Sequence, residues 1–167
     1  MQMALTDLYR AKWSPMIHEE WMRNLLKNRP DLSREQLERI RERMDAHTRD
    51  CVITGFENLI DALELPDPGD RHVLAAAIHG RADVIVTYNL RHFPPEHLSR
   101  YGIEAQHPDE FLTHLSDLAP GTVCAAARTH RLRLKNPPKT AAEYLETLEH
   151  QSLSQFAAHL RAFEELL

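Results

Sequence analysis

The chain has 167 residues, with 20 Lys/Arg against 25 Asp/Glu and a net charge of −5, a length that supports one hydrophobic core and at most a small helical appendage. Hydrophobic residues make up 43% and charged residues 27%, without a low-complexity run or a fixed repeat, which excludes a disordered or fibrous protein. Charge arrives too early in MQMALTDLYRAKW for a signal peptide, and no stretch approaches the roughly 20 apolar residues of a membrane span, so the expectation is a cytoplasmic protein with no membrane partner.

Charge is unevenly distributed. Residues 1–50 carry ten Lys/Arg and nine Asp/Glu, residues 51–120 four and eleven, and residues 121–167 six and five. A middle segment at −7 repels a phosphate backbone unless cations neutralise it, so either the partner is not a nucleic acid or metal ions mediate the contact. Cys51 and Cys124 stand 73 residues apart without a Cys-x-x-Cys pair and read as small buried apolar residues of a reducing compartment. The eleven histidines are scattered, so surface or core roles outweigh metal roles for each of them.

In chain order, Lys12-Trp13 reads as a short strand end. Ser14-Pro15 then starts a helix to about Asn28, with Ile17, Trp21 and Leu25 at helical spacing. Ser33 and Gln36 form a capping-box pattern ahead of a second helix, with a narrow stripe of Leu37, Ile40 and Met44. Residues 51–54 are β-prone and bounded by Gly55, and a helical turn follows around 57–63. Asp67-Pro68-Gly69-Asp70 repeats the start signal for a helix over 71–79, whose Ala75-Ala76-Ala77 lets a neighbour approach closely.

Residues 83–87, Asp-Val-Ile-Val-Thr, read as a strand buried on both faces of a parallel sheet. A weak strand at 103–105 and a helix over 108–117 complete a second half βαβ unit. Ala119-Pro120-Gly121 marks a boundary, beyond which two or three helices follow. Leu153, Phe156, Ala157, Leu160, Phe163 and Leu167 form one face of the last of them. The expected domains are an α/β domain over 1–118 and a helical extension over 119–167.

In open α/β sheets, sites form beyond the carboxyl ends of the strands. Glu19, Glu20, Asp67 and Asp70 stand at helix starts, and Asn89 follows the buried strand, so one crevice can gather them. Convergent carboxylates suit Mg²⁺ or Mn²⁺ and metal-assisted phosphodiester hydrolysis. Each also has a plainer role: Asp67 as a helix cap, Asp70 as a dipole partner, Glu19 and Glu20 as a solvated edge, Asn89 as a turn residue. The helical projection does not choose between Glu19 and Glu20.

The run DPGDRHVLAAAIHGRADVIVTYNLRHF resembles the second half of PIN domains of the VapC toxin type, in which an Asp opens an alanine-rich helix and the next strand ends in Val-Thr-x-Asp/Asn. The resemblance extends back through WSPMIHEEW and forward to about Leu118, and the tail is similar to an extension found in one branch of these proteins. It implies a PIN-like parallel sheet flanked by helices. Glu20 would be the middle catalytic and metal-binding acid and Asp70 the third; Asn89 would stand at the position of a fourth, with Asp67 as an auxiliary metal ligand. It further implies an RNA substrate, a cognate antitoxin and the role of a toxin.

Two departures accompany it. The family's first strand, ending in a metal-binding Asp, would precede Met3–Tyr9 and is absent from this sequence, so the expectation is a shortened and impaired form of a longer protein, or strand donation by a second chain such as a homodimer partner. Asn89 and His92 replace acids, and an amide ligand brings no charge. Arg128, Arg131, Arg133, Lys135 and Lys139 give residues 121–139 five basic side chains and no acidic one, which suits phosphate contacts or a solvated helix face. The alternative function is an inactive PIN scaffold binding a partner protein or RNA. A helical DNA-binding repressor fits less well, because neither basic stretch sits on an evident helix-turn-helix.

Overall fold

The structure, a computed structural model, describes residues 2–167, with the side chains of Gln2 and Leu5 outside the description. The chain folds into two compact units. One comprises residues 10–85 and 89–105; the other comprises the described residues before Arg10, residues 86–88 and residues 106–167.

The first unit begins as the sequence implies. Ser14 caps α1 (Pro15–Asn28) by accepting the Ile17 N–H at 3.2 Å, and Pro15 takes the position where a missing N–H costs nothing. Its buried line runs through His18 and Met22, with Ile17, Trp21 and Leu25 half-buried beside it. The predicted capping box is present in α2 (Arg34–His47): Ser33 accepts from Gln36 N–H, and the Gln36 side chain accepts from Ser33 N–H. Of the expected stripe, Leu37 is buried, whereas Ile40 lies on the exposed side.

The β-prone run at 51–54 makes a single parallel bridge instead of a strand. Trp13 N–H donates to Cys51 O and Ile53 N–H donates to Trp13 O, both at 2.8 Å. A 3-10 turn over Glu57–Ala62 packs on the alanine face of α3 (Arg71–His79). Close approach continues at the end of α3, where a Cβ on Gly80 would meet Ala76 O at 2.9 Å and Ile53 Cδ1 at 3.0 Å, so only glycine fits.

Next come β1 (Val84–Val86), the short α4 (Pro95–Leu98) and β2 (Glu104–Gln106). The strands pair in parallel and form a two-stranded sheet. The expectation of a strand buried on both faces therefore needs correction: Ile85 is buried but Val86 is exposed. A strand with one described neighbour in so small a sheet has less cover than a central strand. Phe56, Leu74, Ile85, Phe93, Leu98 and Ile103 form the core of this unit.

In the second unit, α5 (Pro108–Leu118) and α6 (Pro120–Arg133) are separated by Ala119 alone, and α7 (Ala141–His150) and α8 (Ser154–Arg161) complete the bundle. Thus α5, which the sequence places before the boundary at 119–121, packs with the helices that follow it. The core contains Leu115, Val123, Tyr144, Leu145, Phe156 and Leu160. The last apolar face matches expectation through Leu153, Phe156, Ala157, Leu160 and Leu167, but Phe163 is exposed because α8 stops at Arg161 and a 3-10 turn follows. Among the described residues, no helix is long and apolar enough to cross a membrane.

Candidate functional site

The site is built at the start of α3. Asp67 opens a 3-10 turn over Pro68–Asp70 by accepting the Gly69 N–H on Oδ1 at 2.8 Å, and Asp70 then occupies the N-cap of α3 without using its side chain as a cap. Both predicted roles of Asp67 are thereby open at once: Oδ1 caps, and Oδ2 lies 3.7 Å from His92 Nδ1. Asp70 Oδ2 stands 2.6 Å from the same nitrogen. Asp67, Asp70 and His92 each offer one ligand atom, and the three atoms lie within 4.8 Å of one another.

Asn89 joins the group from the end of the β1 segment. Its Nδ2 is 2.8 Å from His92 Nδ1, and its Oδ1 accepts from Arg91 Nε at 3.1 Å, which fixes the amide orientation. One ring nitrogen cannot accept from the amide and donate to the carboxylate at the same time. With the proton on Nδ1 the amide is repelled, and with the lone pair there the carboxylate is repelled. A cation between Nδ1 and Asp70 relieves the repulsion of lone pair and carboxylate, but it takes the one lone pair on Nδ1, so the amide gives up its contact with that nitrogen when the ion binds. A divalent ion therefore fits this donor set.

The neighbouring glutamates, which helical projection could not separate, diverge in the fold. Glu19 receives Nη1 and Nη2 of Arg34 in a bidentate pair that holds its carboxyl below the usual carboxylate range. Glu20 faces α3, with Oε2 3.3 Å from His72 Nε2. His72 follows Asp70 by two residues, and its Nδ1 lies 2.8 Å from Gly69 O. The contact thus reaches the same end of α3 as the three clustered ligand atoms, although Glu20 is not one of the three.

The basic residues of the second unit differ from one another. Arg131 donates from Nη1 to Lys139 O at 2.7 Å and from Nη2 to Leu167 O at 3.0 Å, so it works inside the fold, and Lys139 Nζ donates to Thr147 Oγ1. Arg128, Arg133 and Lys135 are exposed.

Sequence reasoning named Glu20, Asp67, Asp70 and Asn89, noted His92 only as standing where the family carries an acid, and assigned no site role to His72. The signal available was Asp-Arg-His at the helix start and Asn-Leu-Arg-His after the strand, each putting an imidazole two or three residues beyond an expected oxygen ligand. Scatter along the chain concealed their convergence in space.

Comparison with known proteins agrees with this layout. The family described as "PIN domain" matches residues 1–91, and the family described as "VapC50 C-terminal domain" matches residues 108–162. "Putative ribonuclease VapC50" of Mycobacterium tuberculosis is 43% identical over 107 residues, which are 64% of this chain and 62% of that protein. The chain thus spans less than two thirds of the length of this curated relative. No solved structure matches.

Proposed function

The chain belongs to the PIN-domain family, and from that premise we propose that it cleaves RNA by metal-dependent phosphodiester hydrolysis, as the toxin of a toxin–antitoxin pair in the cytoplasm. The observation that carries this reading is the gathering of Asp67, Asp70 and His92 within 4.8 Å at the start of α3. The name of the relative supports a ribonuclease, and the resemblance to VapC-type toxins supports an antitoxin as the protein partner. Mg²⁺ and Mn²⁺ are the ions that oxygen-rich sites of this kind take.

Asp70 and Glu20 are the proposed acids that hold the ion, Asp67 contributes through its uncapped oxygen, and Asn89 flanks the His92 nitrogen beside them. When bound, a divalent ion supplies Lewis acidity toward a phosphate oxygen and makes a water acidic enough to ionise near neutral pH. The carboxylates by themselves repel a phosphodiester, so substrate approach is coupled to cation loading. Arg128, Arg133 and Lys135 are proposed phosphate contacts whose strength falls with added salt.

Cleavage of single-stranded RNA by the full chain with Mg²⁺ or Mn²⁺ tests the reading. Glu20→Gln and Asp70→Asn are expected to abolish cleavage while the thermal melt stays cooperative; undiminished cleavage in either variant contradicts the assignment. A second reading, an inactive PIN scaffold that binds a partner protein or RNA, is favoured by the amide at Asn89, whose oxygen is already engaged by Arg91. Absence of both metal binding and cleavage in the unsubstituted chain selects that reading.

A further inference from the structure

Among the described residues, His72 is a buried histidine with a ring nitrogen that has no hydrogen-bond partner. Its side chain is 7% exposed, and Nε2 is sealed from solvent without any hydrogen bond, although Glu20 Oε2 lies only 3.3 Å away. The contact is close, but it is not aligned as a donor–acceptor pair.

His18, in the same unit, shows what a satisfied buried histidine looks like here. Its Nδ1 accepts from Trp21 Nε1 at 2.9 Å, which leaves the proton on Nε2, and Nε2 meets Asp45 Oδ1 at 3.1 Å. That carboxylate also accepts from Trp13 Nε1 at 2.7 Å. Every polar atom of the ring has a partner of the right sense. His72 follows the opposite logic: Nδ1 faces the Gly69 carbonyl, which can only accept, so Nδ1 carries the proton and a neutral ring presents the Nε2 lone pair to a carboxylate. A lone pair and a carboxylate 3.3 Å apart repel each other unless a proton or a cation lies between them, and the Glu20 side chain is 35% exposed, so either can reach the pair.

An imidazole whose Nδ1–H is anchored to a backbone carbonyl and whose Nε2 lone pair lies beside an acid is preorganised for a metal. Two adjacent ligands on one octahedral ion, each at about 2.1–2.2 Å, are roughly 3 Å apart, close to the separation found here. We propose that His72 binds the divalent ion through Nε2 alongside Glu20, making the centre a mixed imidazole–carboxylate site selective for manganese-class and later transition ions over magnesium. This rests on the metal-dependent reading above and goes beyond it in naming a second nitrogen ligand and the ion preference. Imidazole adds affinity for transition ions and little for Mg²⁺, which prefers oxygen and water.

Pulsed electron paramagnetic resonance of the full chain loaded with Mn²⁺, compared with its His72→Gln and His92→Gln variants, tests this. The expected result is ¹⁴N coupling in the unsubstituted protein that is reduced in His72→Gln to the His92 contribution alone, together with a fall on the order of tenfold in the Mn²⁺/Mg²⁺ affinity ratio. Coupling that persists unchanged in His72→Gln and disappears in His92→Gln overturns the assignment. Mn²⁺ binding with no nitrogen coupling also overturns it, reducing the His72–Glu20 contact to an imidazolium–carboxylate pair while leaving the metal-dependent reading intact. Absence of Mn²⁺ binding overturns both. If His72→Gln does not fold, Zn²⁺ titration of the unsubstituted protein followed by imidazole ¹⁵N resonances decides the matter. Coordination moves the His72 Nε2 signal selectively, and an unmoved signal with zinc bound rules it out.

Discussion

Asp70 and Asp109 are two half-buried or buried carboxylates close to helix starts, and their partners separate them. Asp109 is 6% exposed, and its oxygens accept the backbone N–H groups of Phe156 at 2.8 Å and Gln155 at 3.0 Å. It caps α8 from another helix, leaving no acceptor aimed at solvent. Asp70 caps nothing with its side chain and sits against an imidazole nitrogen that already faces an amide. The first acid completes its own fold; the second meets one imidazole nitrogen that an amide also approaches. Burial alone does not distinguish a structural carboxylate from a functional one, whereas hydrogen-bond bookkeeping does.

The contrast is sharpest in stability. Asp109→Ala leaves the buried Phe156 N–H and the part-buried Gln155 N–H without acceptors and is expected to destabilise the chain by about 2 kcal/mol, measured by denaturant unfolding. Asp70→Asn in the absence of metal is expected to change stability by under about 1 kcal/mol, because crowded acids are relieved when one charge is removed. Equal losses in the two variants would erase the distinction.

A smaller effect separates the regions by pH. Burial, with nearby positive charge that includes Arg133 adding less, pushes the His130 pKa down, and Tyr144, whose hydroxyl burial pushes up to about 12, stays protonated and donates to His130 Nδ1 at 3.0 Å. A histidine with a depressed folded-state pKa contributes stability that is complete above the unfolded value near 6.5 and is lost as pH falls through the lower folded value. Melting midpoints between pH 7 and pH 5 are therefore expected to fall slightly more for the unsubstituted chain than for His130→Gln. Parallel curves for the two proteins would remove His130 from the account.

Local rules made much of the fold legible. Ser14-Pro15, the Ser33–Gln36 box and Asp67-Pro68 each mark a helix start within one residue of where it occurs, because caps act through bonds three residues long. Burial was harder to read. Val86 and Ile40 belong to apolar patterns yet are exposed, since cover depends on how many neighbours an element acquires. At the site, Glu20, Asp67, Asp70 and Asn89 were named from helix starts, a strand end and family resemblance. His72, His92 and the capping role of Asp109 depend on contacts across 22 to 52 residues of chain, which no local pattern encodes.

The central claim is that the groups gathered at the start of α3 hold a cation. Thermal unfolding of the full chain with and without Mn²⁺, set beside Asp70→Asn, tests it most directly. The account predicts that Mn²⁺ at about 100 times its Kd stabilises the unsubstituted chain by roughly 2.7 kcal/mol and that Asp70→Asn loses this gain. An unchanged melt with Mn²⁺, or an equal gain in the variant, contradicts it.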